Sequence, residues 1–358
     1  MFTVLEPYHL FADPMRYYNA MLEDIEAARH YVLIETYRIG NDVVGVRFKD
    51  ALIRKAKAGL EIKVLVDAWG GAAVSNGFFD ELTKLGAEVR FFEKIKFNSD
   101  IFTRGHRRNH RKLLIIDDEI TYIGSSNLTE YNMNWRESVL RIKSELTLVF
   151  KKIFKQDFGI YNKYVFVKAN YLRLIKYHGF EILRDMPSIT RQRIMRRYIH
   201  MIQHARQKVE IVTPYFLPGY KLRRALMDAS QRGVEVKIII PKRSDVNLVD
   251  ILRNKYLGQL HKAGIRFMLY MPHNLHAKLM LIDESSFSIG SPNFDYRSFR
   301  YMYEIILAGN EPAISAQVQQ HIQTTIENCE MFDYGQWERR SLINKFFEWL
   351  LLPFRHLL

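Results

Sequence analysis

Apolar and polar positions along the chain follow two rhythms, strand-like and helix-like, and the order in which they alternate repeats once. Tyr31 to Tyr37 is an apolar, β-branched run of strand length. Residues 44 to 58 then carry apolar positions at helical spacing, Gly59 stops that helix, and Glu61 to Asp67 (EIKVLVD) returns to the pattern of a buried strand. The same order comes back downstream as Val209 to Phe216, a helical stretch over 220 to 232, Gly233, and Glu235 to Pro241 (EVKIIIP). A third pair, Leu85 to Glu93 and Ala263 to Tyr270, consists of glycine-opened strands that each follow a helix. The glycines lie 174 positions apart in one pair (59 and 233) and 178 in the other (86 and 264), which points to two copies of one domain. Strands alternating with helices through short connections predict parallel α/β sheets with right-handed crossovers, one per copy. The expected division is residues 1–165 and 166–358.

The connecting stretch, Lys151 to Arg197, mixes Lys and Arg with aromatics. It reads either as solvated helix faces with aromatics packed inward or as a basic surface lying on a membrane.

Composition narrows the picture. At 358 residues and 48% hydrophobic the chain can build one large core or two medium ones, and its single cysteine, Cys329, rules out an internal disulfide or a thiolate metal site. A formal charge of +14 favours polyanionic partners: nucleic acid, an anionic membrane face or phosphorylated substrates. Met1 to Pro14 lacks the features of a secretory signal, and no run approaches 18 apolar residues, so the expected membrane association is peripheral.

Candidate chemistry sits in two matching constellations. The first reads His110-Arg-Lys112, Asp117, Gly124-Ser125-Ser126-Asn127 and Glu137; the second reads His276-Ala-Lys278, Asp283, Gly290-Ser291-Pro292-Asn293 and Glu304. From His to Asp is seven positions in both, and from His to Asn 17 in both. Alternation along a strand would put His and Lys, at i and i+2, on one face, where both can meet one phosphate. The imidazole can act as nucleophile or general acid, the lysine neutralises phosphate oxygens, and Ser and Asn supply further hydrogen bonds. Alone, a His-x-Lys is most often part of a surface strand and a Gly-Ser a turn. Their recurrence in the same order at equal spacing is what points to phosphoryl chemistry.

These segments, HRKLLIIDDEITYIGSSN and HAKLMLIDESSFSIGSPNFD, resemble the HKD signature of the phospholipase D superfamily, and with the repeat the resemblance covers most of the chain. It implies two similar α/β/α domains related by a pseudo-two-fold axis with one shared active site. It further implies that one histidine attacks phosphorus, giving a phosphohistidine, while the other protonates the leaving alcohol and then activates the acceptor. By the same resemblance His110 is the nucleophile and His276 the general acid and base. Lys112, Lys278, Asn127 and Asn293, with Ser125 and Ser291, hold the phosphate, and Glu137 and Glu304 orient the imidazoles. Asp117 and Asp283 support structure. No cofactor and no metal are expected, since the lysines supply the charge a divalent ion would bring.

Within the superfamily the chain is similar to bacterial cardiolipin synthases of a short type without N-terminal membrane spans, on IETYRIGND (34 to 42), TPYFLP (213 to 218), GSPNFDYRSFRYMYE (290 to 304) and the closing WERRSLINKFFEWLLLPF. The implied reaction joins phosphatidylglycerol and a second phospholipid at the cytoplasmic side of a bacterial membrane. The alternatives are a phospholipase D hydrolase, or a nuclease for which Arg104-Gly-His106-Arg107-Arg108 could track a nucleic-acid backbone. Trp337 to Leu358 interleaves cations with Phe, Trp and Leu, the mixture of an interfacial amphipathic helix, or of a terminal helix packed on the core.

Overall fold

In the computed structural model the first apolar run becomes a strand buried at every position, with Val32 and Ile34 facing one core and Leu33 pointing to the other side. The structure describes residues 7–74, 77–92, 107–160 and 171–356. They divide into two units, Met1–Arg173 and Leu174–Leu358; the expected boundary at 165 and 166 lies outside the described residues.

The first unit contains β1 (Tyr8–Phe11), β2 (Tyr31–Thr36), β3 (Glu61–Asp67), β4 (Glu88–Phe92), the two-residue β5 (Arg108–Asn109), β6 (Leu113–Ile116), β7 (Ile120–Gly124) and β8 (Val139–Lys143). Its sheet runs in the order β1-β8-β7-β6-β2-β3-β4. Only β2, β3 and β4 are mutually parallel; β6, β7, β8 and β1 pair antiparallel, which corrects the expectation of a parallel sheet. The reason is the connections. Helix Val43–Lys57 carries the chain back over the sheet between β2 and β3, whereas three residues between β6 and β7 leave room only for a reversal. Helices Pro14–Ala27 and Val43–Lys57 cover one face and helix Leu146–Ile160 the other.

The second unit contains β9 (Ile175–Tyr177), β10 (Phe180–Asp185), β11 (Lys208–Val212), β12 (Phe216–Leu217), β13 (Glu235–Pro241), β14 (Arg266–Tyr270), β15 (Leu279–Ile282), β16 (Ser286–Gly290), β17 (Phe294–Asp295), β18 (Met302–Gly309) and β19 (Cys329–Met331). The main sheet runs β19-β14-β13-β11-β15-β16-β18-β10-β9, while β12 and β17 form a separate parallel pair. Without its edge strands β19 and β9, this is the order of the first unit reproduced strand for strand. Gly59 and Gly233 take φ of +88° and +86° at equivalent helix ends, where no atom crowds a side chain, so the left-handed backbone alone selects glycine.

The described parts of the connector follow its inward-packed reading. Helix Leu146–Ile160 buries Phe150, Phe154 and Phe158, and helix Arg193–His204 buries Ile194, Tyr198, Met201 and Ile202; residues 161–170 lie outside the described residues.

Candidate active site

Each unit builds its constellation on the same backbone frame. A Cβ on Gly124 would stand 2.1 Å from the Ser138 carbonyl oxygen, and one on Gly290 2.2 Å from that of Ile305. This close approach lets the following serine reach the neighbouring strand. Ser125 Oγ accepts from Ser138 N (2.8 Å) and donates to Glu137 Oε2 (2.5 Å). Ser291 Oγ accepts from Ile305 N (3.0 Å) and donates to Glu304 Oε2. Glu137 Oε1 also accepts from Asn132 Nδ2 at 3.0 Å. The serines were expected to hold phosphate. A hydroxyl has one proton, and here both serines give it to the buried glutamates.

His110, Lys112, His276 and Lys278 are all buried, at 7%, 5%, 5% and 4% exposure. They precede β6 and β15 rather than lying within them, because β2 and β11 stop pairing at Glu35 with Leu113 and at Val212 with Leu279. Beyond those pairs the neighbouring chain turns away, with Thr36 Oγ1 donating to Arg38 O (3.2 Å) and Thr213 Oγ1 to Tyr215 O (3.0 Å). The i, i+2 geometry survives. Lys278 Nζ lies 3.1 Å from His276 Nε2 and 2.8 Å from His276 O; Lys112 Nζ donates to His110 O at 2.6 Å. An ammonium offers no lone pair, so in the second unit Nε2 is the acceptor and the ring carries its proton on Nδ1. Asn127 Oδ1 and Asn293 Oδ1 are buried and accept no hydrogen bond among the described residues.

The motif aspartates lie at the far ends of β6 and β15, at φ of +51° and +49°. Asp117 accepts from the backbone N–H groups of Arg29 (2.9 Å), His30 (2.9 Å) and Tyr31 (3.0 Å), and Asp283 from those of Arg206 (2.9 Å), Gln207 (2.8 Å) and Lys208 (2.8 Å). Each clamps the turn that leads into the neighbouring strand, β2 in the first unit and β11 in the second. Burial works against ionisation of Asp283, but the three N–H donors hold its carboxyl below the ordinary range.

Sequence reasoning missed the surroundings of the first histidine. Tyr37 stands edge-on to the His110 ring (5.4 Å between centroids), with Lys112 Nζ 5.5 Å from the Tyr37 centroid. Asn109 Nδ2 donates to Glu35 Oε1 (2.7 Å), Asn109 N to Asp67 Oδ2 (2.8 Å) and Arg111 N to Asn109 Oδ1 (3.3 Å). The Arg111 guanidinium is fully enclosed, 2.6 Å from Asp157 Oδ2 and 2.7 Å from Tyr171 Oη, and Tyr171 donates in turn to Asp157. Burial opposes the Arg111 charge, yet the Asp157 carboxylate raises its pKa further still. Asp67 is pushed up to about 6 by burial, against the pull of Arg108 and of the Asn109, Trp69 and Gly70 N–H groups. A carboxylate directly after the apolar run Val64–Val66, as in EIKVLVD, was the available signal. Of the arginine run before His110, Arg108 pairs with Asp67 at 3.5 Å; residues 104 to 106 lie outside the described residues.

Two α/β units, each carrying a buried His-x-Lys pair on a Ser–Glu frame, define a phospholipase D-like protein. The family model described as "Cardiolipin synthase, PLD-like domain" matches residues 21–158 and 198–326, and the chain belongs to that family of phospholipase D-type phosphatidyltransferases. It is 31% identical to a cardiolipin synthase of Oceanobacillus iheyensis over 95% of its own length and 72% of that protein's. It is 30% identical to one of Clostridium perfringens over 94% of its own length and 74% of the relative's. Among solved structures, the phosphatidylserine synthase of Haemophilus influenzae superposes with a TM-score of 0.76 at 14% identity, covering 98% of this chain and 93% of that one, a likeness of fold.

Proposed function

We propose that the chain makes cardiolipin, transferring a phosphatidyl group from one phospholipid to the glycerol headgroup of phosphatidylglycerol and releasing a small alcohol, with both constellations acting on one phosphate. The observation that carries this reading is the twice-built His–Lys–Asn–Glu frame in a chain that aligns along nearly its whole length with cardiolipin synthases. His110 Nε2 attacks phosphorus, and the bond to the leaving alcohol breaks as His276 gives that oxygen a proton. His276 then takes a proton from the acceptor hydroxyl, whose oxygen displaces His110 from phosphorus.

The lysines and asparagines hold the phosphate oxygens. An arriving phosphate would draw Lys278 off His276 Nε2 and leave that nitrogen able to carry the transferred proton. Ser125 and Ser291 act in this reading by holding Glu137 and Glu304 in place, and the glutamates by fixing the imidazoles. The protein works peripherally at the cytoplasmic face of a bacterial membrane. In support, no helix among the described residues is long and apolar enough to cross a membrane, and the net charge of +14 suits an anionic lipid surface.

Mass spectrometry of products after incubating purified protein with defined phospholipids, and separately with plasmid DNA, tests the reading. Cardiolipin and a free small alcohol are expected. Phosphatidic acid alone would make the protein a hydrolase, and nicked DNA with unchanged lipid a nuclease.

A further inference from the structure

Helix Leu342–Leu351 sits on the second unit with Glu348 and Leu351 turned inward. Its most enclosed residue is Glu348, at 3% exposure, held by a bidentate ion pair from Arg340 (2.7 and 2.8 Å). Facing outward are Leu342 (82% exposed), Ile343 (68%), Phe346 (54%), Phe347 (46%), Trp349 (65%) and Leu350 (43%). A water-facing helix has the reverse arrangement, and six large apolar side chains on ten residues go well beyond the scattered exposure normal for a surface. The preceding residues are different. Trp337 donates from Nε1 to Asn254 O (2.7 Å), and its ring fills the space above Gly258, where a Cβ would meet it at 2.2 Å. The outward-facing surface therefore begins after Arg340, and Trp337 belongs to the packed body of the unit.

We propose that this face docks on an anionic lipid bilayer, a proposal that rests on the lipid reading of the active site. Charge chooses the occupant. Exposed Arg339 and Lys345 flank the aromatic face, and two copies of a chain carrying +14 would repel each other where an anionic bilayer attracts. The turn after the helix, Leu352–His356, extends the same mixture. Arg355 lines a cleft of about 390 Å³ with Ile189, Tyr220, Lys221, Tyr296 and Arg300, and its guanidinium lies 6.0 Å from the Tyr296 ring. Tyr296 opens the helix that starts three residues after Asn293. The cleft thus gathers Lys221, Arg300 and Arg355, cations suited to a lipid phosphate, around the helix that follows Asn293 of the second constellation, while the helix Leu342–Leu351 lies in the interface.

The test uses the full chain and vesicles of equimolar phosphatidylglycerol and phosphatidylcholine. Phe346→Glu/Trp349→Glu should lower vesicle affinity at least about tenfold while leaving turnover of a monomeric short-chain phospholipid within about twofold. Added salt should weaken binding of the unmodified chain. Unchanged affinity in the variant overturns the proposal, as does a lipid-free dimer of the unmodified chain that the variant dissolves. Vesicle binding lost in the variant, together with no turnover of any phospholipid by the unmodified chain, would uphold the docking surface and count against the proposed reaction. Leu342→Glu repeats the test if the double variant fails to fold.

Discussion

The two units share a frame and differ in what surrounds it. Four positions that are polar in the first are apolar in the second: Glu35 against Val212, Asp67 against Pro241, Asn109 against Leu275, and Arg111 against Ala277, as the equivalent strand registers place them. His110 thus has its backbone held on both sides by a buried charged network, whereas His276 sits between Leu275 and Ala277, both fully buried. Burying charge costs free energy unless every partner is met, so the network is better understood as fixing position than as adding stability. The groups that match between the units are those proposed to hold phosphate, while their supports differ, which would give two histidines a physical basis for the different tasks proposed for them.

The largest expected effect breaks that comparison at its centre. His110→Ala and His276→Ala should each lower turnover by about 10⁴-fold or more without unfolding the chain, because neither imidazole can substitute for the other. They should then part company. With a phosphatidyl donor whose leaving group needs no protonation, the His276→Ala chain should accumulate a covalent lipid adduct on His110, read by mass spectrometry of the quenched protein, and the His110→Ala chain should form none. An adduct on His276 would exchange the two roles.

The supports come next. Asp157→Ala leaves the enclosed Arg111 without its carboxylate and should lower stability by about 3–5 kcal/mol, seen as a fall in the midpoint of urea unfolding. Arg111→Met/Asp157→Leu should recover most of that loss, since no unpaired charge remains. If the double replacement is as damaging as the single one, the network contributes more than position. Lys112→Met and Lys278→Met should each cost about 10²–10³ in turnover through lost stabilisation of phosphate charge, with similar size in both units. A clear inequality between them would show that the phosphate sits closer to one lysine.

Strand and helix order, the helix-stopping glycines and the repeat were legible because burial on both sheet faces writes apolar runs such as YVLI and IIIP into the sequence. Strand direction was not, since an antiparallel return through Asp117–Glu119 and a parallel crossover leave similar apolar runs behind. The constellations were legible because they occur twice. The Arg111–Asp157–Tyr171 network was not, because it occurs once and joins positions up to 60 residues apart. The setting of the last helix was not legible: its composition suited either an interfacial helix or one packed on the core, and the Glu348 ion pair with the exposed Phe346 and Trp349 shows which side faces out.

The smallest effect sharpens the comparison through pH. Asp67 in the first unit and Asp295 in the second are each pushed up to about 6, by burial above all, and their counterparts Pro241 and Thr129 do not titrate. For Asp295 the Glu304 charge adds to burial, while the Ser298 N–H, donating at 2.7 Å, opposes both. An unfolded aspartate releases its proton near pH 3.9, so between there and about 6 the folded chain binds protons the unfolded chain has given up. Each group therefore contributes stability that is fully present below about pH 4 and is lost as pH rises through about 6, up to about 3 kcal/mol apiece. Asp283 has the opposite sign, its lowered pKa giving stability that disappears only as acid protonates it, so it does not blur this window. Urea midpoints measured from pH 4 to 7 should fall with rising pH, and Asp67→Asn and Asp295→Asn should each make that fall shallower. If Asp67→Asn leaves the slope intact while Asp295→Asn abolishes it, Arg108 outweighs burial at Asp67, and the first unit holds that carboxylate ionised where the second holds its own protonated.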